Sequence, residues 1–321
     1  MSTFLNNPVF ICGHRKSGTT MLCSLFDDHD DILVYPSDSS FFYKIFPPCL
    51  NLKKIDNVRL VIENCIRETL GSEMENIGKD DLFDINFIEA EFKREMKIKS
   101  NSPKSLLLSL IKSYSKSFKK KKWKMWMEKT TSSEFYAIEI NKWFPNAKFI
   151  HLIRDPRDNF ASLKSGWEER YKDQESNLND LLQSLIDRGG MGMKLALKNQ
   201  EVLGEKKYKI IKFEDLTTDK ENVMNNITNF LSIKFSESLL KPTMNGHLWK
   251  GNNFQGLKFK SISSKNVNKW KTRINYHEAM VIEGYLSELM KNFNYKITGS
   301  SKDQIKAIQE HYKWFNFKKK S

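Results

Sequence analysis

No stretch of this chain approaches the roughly 20 consecutive apolar residues that a bilayer core demands, so no membrane-spanning segment is expected. Asn6, Asn7 and Pro8 interrupt any hydrophobic leader, and no secretory signal peptide is expected either. Cysteine is scarce: Cys12, Cys23, Cys49 and Cys65 are the only 4, without metal-ligand spacing, and the 6 histidines form no metal pattern. Reduced, buried thiols in a cytoplasmic protein and no metal site are the expectation. Internal repeats and Gly/Pro/Ser-rich linkers are missing too, which favours one domain over residues 1–321. Acidic residues are outnumbered, 39 against 53 Lys+Arg, giving a formal charge of +14. Such a balance attracts polyanions. Yet the lysine clusters at 119–122 and 318–320 match no nucleic-acid motif, so no nucleic-acid partner is expected. The 119–122 run reads as a solvated loop or as help for an acidic donor or acceptor.

What is present is alternation. Short apolar runs at Val9–Cys12, Ile32–Tyr35, Trp123–Met127, Phe149–Ile153 and Tyr208–Lys212 read as strands. Segments of helical spacing separate them: Thr19–Asp27, Asp56–Leu70, Asn101–Phe118, Ser132–Trp143, Asn177–Leu197 with a break at Gly189–Gly190, and Asp219–Leu231. Tyr276–Met290 reads as the final helix. Strands separated by helices predict an α/β fold: a central parallel sheet flanked by helices, P-loop-like and three-layered.

The first strand runs into Gly13-His14-Arg15-Lys16-Ser17-Gly18-Thr19-Thr20, and a helical pattern begins beyond it. Strand, glycine-bounded loop and helix make a cradle of backbone N–H groups for an anion. It is not the Walker motif, which needs Lys after the second glycine. Thr19 stands there, and the positive charge has moved into the loop as Arg15 and Lys16. That points away from an ATPase and towards another phosphate-bearing donor. A second anion site is readable at Ile153-Arg154-Asp155-Pro156. Asp155 followed by Pro156 is a helix start, so Arg154 sits at the carboxyl end of a strand, where open α/β sheets bind ligands, and Ser162 lies two turns into the helix. The plain alternative is an ion pair of Arg154 with Asp155 or Asp158.

Together these segments resemble the sulfotransferase superfamily, which uses 3′-phosphoadenosine 5′-phosphosulfate. The Arg154-Asp155-Pro156-Arg157-Asp158 wording looks most like its bacterial and Golgi-type, carbohydrate-sulfating branch. The resemblance covers residues 8 to about 295 and implies donor binding by Arg15, Lys16, Ser17, Gly18, Thr19 and Thr20 around the 5′-phosphosulfate, with Arg154 and Ser162 on the 3′-phosphate. Lys16 would stabilise the transferring group, assisted by Lys129 at the end of the third strand. Relatives follow that lysine with Ser/Thr-Pro, and Thr131 replaces the Pro here. A salt bridge to Glu128 or a nearby carboxylate is the plain reading of Lys129.

Glycan-sulfating relatives carry a Glu after the second strand, and Asp38 falls on that position as the expected base. Asp is shorter by roughly 1.5 Å, and Ser37 replaces the usual preceding Lys. The alternative is that Asp38 merely caps the segment that follows, and His14 is the rival base by chemistry. Residues 249–256 look like the late loop that closes over the nucleotide, with Trp249 or Phe254 near adenine. Aromatic core packing is the other reading. The acceptor implied is a carbohydrate or small metabolite bearing a hydroxyl. Two other functions stay open at this point: a P-loop nucleotide kinase or NTPase, and a non-catalytic polyanion-binding protein.

Overall fold

A computed structural model describes residues 3–46, 84–98, 102–119, 122–167, 177–249 and 262–318, with isolated positions 59, 63–64, 66–68, 70, 172 and 251 between them. Five strands form the central sheet: β1 (Pro8–Cys12), β2 (Ile32–Asp38), β3 (Met125–Lys129), β4 (Lys148–Ile153) and β5 (Tyr208–Lys212). Their order is β2-β3-β1-β4-β5, and every pairing is parallel. From β1 the chain crosses to one side of the sheet and later to the other, so the carboxyl end of β1 is the switch point where such sheets hold ligands.

The strands are apolar on both faces because both faces are covered. Phe10 and Cys12 of β1 point into one layer, with Trp126, Phe149 and Tyr208. Val9 and Ile11 point into the other, with Met127, Ile150 and Leu152. In the first layer Phe10 stacks on Phe149 at 5.6 Å and meets Trp126 edge-on at 5.5 Å, and Phe149 stacks on Tyr208 at 5.5 Å. Truncating a fully buried ring such as Phe10 to Ala typically costs about 3–5 kcal/mol.

Helix α1 (Thr19–Ser24) follows the first loop. Helices α2 (Ile85–Ile98) and α3 (Pro103–Ser115) pack on each other, and Lys116 bridges them by reaching Glu91 at 2.6 Å and Glu95 at 2.8 Å. Ser102 and Ser105 form a capping box at the start of α3, with Pro103 at its first position. After β3 a 3₁₀ turn (Ser133–Tyr136) leads into α4 (Ala137–Trp143). Helix α5 (Pro156–Lys164) begins at the expected cap, Asp155 accepting the Arg157 N–H at 2.9 Å. Next come α6 (Leu178–Ser184), α7 (Gly190–Leu203), α8 (Phe213–Thr218) and α9 (Lys220–Leu231). A two-stranded hairpin, β6 (Thr243–Met244) with β7 (His247–Leu248), precedes α10 (Trp270–Arg273), α11 (Tyr276–Asn292) and α12 (Ser301–Lys318).

Three expectations change. The glycines at 189–190 do not break the helix: a π-helical turn, Leu185–Gly189, joins α6 to α7, and both glycines keep right-handed helical angles. Helix α11 is not the last, since α12 follows, seated on α11 through Ala307 and the buried His311 while leaving Ile305 and Tyr312 exposed. The first helix ends at Ser24 rather than Asp27. The aromatic segment after β2 is a second π-helical turn, Phe41–Ile45. The helix expected over 56–70 falls mostly outside the described residues.

Candidate active site

The loop after β1 is bent by residues in the left-handed region: Gly13 at φ 138°, Lys16 at φ 65° and Gly18 at φ 99°. Glycine is needed at Gly18 because a Cβ there would lie 2.6 Å from the Phe213 ring, and at Gly13 because it would lie 2.6 Å from the Leu152 carbonyl. Lys16 adopts its strained conformation without that excuse, and strain of this kind gathers at functional sites. Ser17 is buried, its backbone N–H donating to the His14 carbonyl at 3.1 Å and its hydroxyl to the same oxygen. Gly18 caps α1 without a side-chain bond, and Thr19 and Thr20 form the first helical positions. Arg15 turns aside, its Nη2 donating to the Ser184 hydroxyl at 3.1 Å.

Arg154 comes from the end of β4 and is buried; Asp155 and Asp158 act on its charge, but among the described residues neither carboxylate is joined to it by a hydrogen bond or a close salt bridge. Asp155 takes the Arg157 guanidinium at 2.7 Å, and Asp158 accepts the N–H groups of Asn268 at 2.6 Å and Trp270 at 2.7 Å. The hydrogen bonds of Arg154 go to backbone carbonyls. Its Nη1 donates to the Lys16 carbonyl at 2.8 Å and its Nη2 to the Asn266 carbonyl at 3.0 Å. The guanidinium lies over the Phe213 ring, 4.4 Å from the centroid. Because Phe213 also faces Gly18, this one ring supports both the loop and the arginine. The Arg154 Nε is buried and has no hydrogen-bond partner among the described residues. Ser162 sits half-buried in α5, and no hydrogen bond joins it to Arg154 among the described residues.

On the other side of β1, Pro36 interrupts β2, and the register with β3 shifts between Val34 and Asp38. The shift sets Asp38 opposite Lys129. Lys129 Nζ lies 3.2 Å from Asp38 Oδ2, with side chains 10 % and 19 % exposed, so both remain reachable from solvent. Asp38 Oδ2 also accepts the Thr131 N–H at 3.1 Å and its hydroxyl at 3.0 Å, while Oδ1 accepts the Ser40 N–H at 2.9 Å, its single donor among the described residues. The capping contact and the salt bridge named as plain readings of Asp38 and Lys129 are both present.

Behind this pair lies Glu128, fully buried, whose Oε1 accepts the Ser39 hydroxyl at 2.5 Å and the Thr130 hydroxyl. Burial pushes its carboxyl up to about 7, against the pull of those two bonds. Glu134 is buried beneath the loop, accepting the Gly13 N–H at 3.3 Å, and burial pushes it likewise to about 7. His14 donates or accepts through Nδ1 at 3.0 Å from Asn159 Oδ1, and burial draws it down to about 4. Trp249 is buried, and residues 250 and 252–256 of that late loop lie outside the described residues.

The carboxyl ends of β1, β2, β3 and β4 lie side by side at one edge of the parallel sheet, and Lys16, Asp38, Lys129 and Arg154 stand at or just beyond them. The family model for the sulfotransferase family matches residues 8–237. The chain belongs to the sulfotransferase family. Its fold is similar to the sulfotransferase domain of the Synechococcus PCC 7002 olefin synthase, with a TM-score of 0.60, 17 % identity, and coverage of 91 % of this chain and 96 % of that one. It is equally similar to the sulfotransferase domain of the curacin biosynthetic pathway: TM-score 0.60, 16 % identity, 91 % and 99 % covered. No curated protein matches. Among the described residues of this sulfotransferase no helix is long and apolar enough to cross a membrane, and no group of His, Cys, Asp and Glu is arranged to hold a metal ion.

Sequence reasoning missed three contributors here. Phe213 directly follows the apolar run of β5, Asn266 lies in a polar segment, and Asn159 is one polar residue on a helix. The only available signal was Asn159's spacing, one and a half turns beyond Arg154.

Proposed function

We propose that this sulfotransferase moves a sulfuryl group from 3′-phosphoadenosine 5′-phosphosulfate to a hydroxyl of a carbohydrate or small metabolite, as one catalytic domain working in the cytoplasm. The observation that carries the reading is the bond between its two anion elements. Arg154, proposed for the 3′-phosphate, holds the carbonyl of Lys16, proposed for the 5′-phosphosulfate, at 2.8 Å. A donor bearing both anions satisfies both elements at once. A Mg²⁺-dependent kinase would use Lys and Ser/Thr after Gly18, and Thr19-Thr20 stand there.

In this reading the backbone of Ser17 to Thr20 cradles the 5′-phosphate, and Arg154 with Ser162 takes the 3′-phosphate, the Nε of Arg154, which has no partner among the described residues, being available for it. Lys16 and Lys129 stabilise the negative charge that develops on the transferring group and the departing oxygen, the demand that phosphoryl transfer also makes. Asp38 takes the acceptor proton through Oδ1, the oxygen with a single donor among the described residues, while Lys129, Thr131 and its hydroxyl hold Oδ2. The two buried thiols described, Cys12 and Cys23, suit a reducing compartment. Binding of adenosine 3′,5′-bisphosphate tests the donor, and labelled-donor turnover over a panel of glycosides, phenols and alcohols tests the acceptor.

A further inference from the structure

We propose that Glu128 is a positioning residue for sulfuryl transfer: through the hydroxyls of Ser39 and Thr130 it ties the end of β2 to the end of β3 and so fixes Asp38 against Lys129. This goes beyond the roles proposed for that pair and rests on them.

The end of β2 needs such a tie. Strand β2 lies at the edge of the sheet, so among the described residues β3 is its one partner there. Pro36 brings no N–H to the ladder, and the register lapses between Val34 and Asp38 before Asp38 meets Lys129. Beyond Asp38 the chain turns at once. Ser40 takes the left-handed region at φ 56°, and the π-helical turn Phe41–Ile45 begins. The regular ladder therefore does little to hold the backbone that carries Asp38.

Glu128 supplies the anchor. Its Oε1 accepts the Ser39 hydroxyl at 2.5 Å and the Thr130 hydroxyl, and those two hydroxyls lie 3.0 Å apart. Ser39 follows Asp38 along the chain and Thr130 follows Lys129. One carboxylate oxygen thus grips both strands one residue beyond the reacting pair. Ser39 Oγ in turn accepts the Phe41 N–H at 3.3 Å, which carries the grip into the π-helical turn. Glu128, Ser39 and Thr130 are all buried, and such bonds are stronger in the interior than in water. Just outside them Asp38 Oδ2 meets Lys129 Nζ and Thr131, and Oδ1 meets the Ser40 N–H. Glu128 Oε2 is buried without a hydrogen-bond partner among the described residues. An apolar residue of the same shape would spare that cost, so stability alone gives no reason for a carboxyl group here. Holding Asp38 does, because misplacing a reacting group by about 1 Å can cost about 10²-fold in rate.

The test combines turnover with labelled donor, affinity for adenosine 3′,5′-bisphosphate, and hydrogen exchange at the Ser40 and Thr131 amides, both bonded to Asp38. Glu128→Met should lower kcat by about 10- to 100-fold, keep bisphosphate affinity within about twofold, and quicken exchange at both amides. Glu128→Gln retains an accepting oxygen for the two hydroxyls. It should hold kcat within about threefold of wild type and leave exchange slow. Added to Asp38→Asn, Glu128→Met should cost less than the product of the two single losses, since a carboxylate already removed cannot be misplaced. Should Glu128→Met not fold, Ser39→Ala cuts the tie to β2 alone and is read in the same way. The proposal is overturned by unchanged kcat and exchange in Glu128→Met, or by equal losses in kcat and bisphosphate affinity. It is overturned as well by a Gln variant as impaired as the Met variant, or by fully multiplicative losses. If the wild-type chain neither binds bisphosphate nor transfers a sulfuryl group, the functional reading fails, and the exchange rates still show whether Glu128 holds Asp38.

Discussion

Replacing Arg154 with Ala separates the two roles that its position implies. The substitution removes the bonds to the Lys16 and Asn266 carbonyls, 2.8 and 3.0 Å long, and the stack on Phe213 at 4.4 Å. A hydrogen bond from a charged group contributes about 1.5–3 kcal/mol, and a partly desolvated cation–π contact about 0.5–2 kcal/mol. Part of this loss falls on the loop itself, because Lys16 at φ 65° relaxes once its carbonyl is released. Adenosine 5′-phosphosulfate, which lacks a 3′-phosphate, therefore loses only the share transmitted through the loop, about 2- to 10-fold in affinity for roughly 0.5–1.4 kcal/mol. Adenosine 3′,5′-bisphosphate loses that share and its own contact with the guanidinium, an additional factor of about 10 to 150. Isothermal titration of both ligands to both proteins reads the difference directly. Equal losses for the two ligands would refute the placement of the 3′-phosphate on Arg154.

Asp38→Asn is expected to lower kcat by about 10² to 10⁴ with bisphosphate affinity nearly intact; unchanged turnover rules Asp38 out as the base. Lys129→Met should lower kcat by about 10² to 10³, measured with labelled donor, whereas a loss confined to stability would leave Lys129 as a structural partner of Asp38. Gly18→Ala drives a Cβ to 2.6 Å from the Phe213 ring at φ 99° and should destabilise the fold by about 1–3 kcal/mol in urea titrations and abolish bisphosphate binding. Glu128 has a folded-state value of about 7 against 4.5 ordinarily, so the folded chain binds more protons across that interval and loses stability as pH rises through it. The neutral buried rings of His14 and His151, at about 4 and about 3, act oppositely below 6.5, so the wild-type profile is a partial cancellation. Glu128→Gln isolates the first effect: its stability relative to wild type should climb between pH 4.5 and 7 by up to about 3 kcal/mol and then level off. A pH-independent difference contradicts the burial of an ionisable Glu128.

The parts legible in sequence were those set by neighbours along the chain. An apolar run, a glycine-bounded loop and an Asp-Pro cap each need only a few adjacent residues, and β1, its loop and the start of α5 fell where those signals stood. The layered parallel sheet followed from strands alternating with helices. What Arg154 touches was not legible, because Lys16 and Asn266 are 138 and 112 positions away and the choice between them and the adjacent carboxylates depends on packing. The same holds for His14 and Asn159, 145 positions apart. Glu128 was named as one candidate salt-bridge partner of Lys129; the bridge goes to Asp38 instead, and the hydroxyls of Ser39 and Thr130 let Glu128 lie inside. Gly189 and Gly190 suggested a break by propensity, whereas both are helical, and Gly190 packs so close to Leu286, with a Cβ position 2.8 Å from Cδ2, that a larger residue has no room there.

The donor is the central claim, and thermal stabilisation by nucleotides tests it most directly. Adenosine 3′,5′-bisphosphate should raise the Tm of the chain in a concentration-dependent manner without added metal, and ADP should do so much less. Stabilisation by Mg-ATP with none by the bisphosphate would contradict the account.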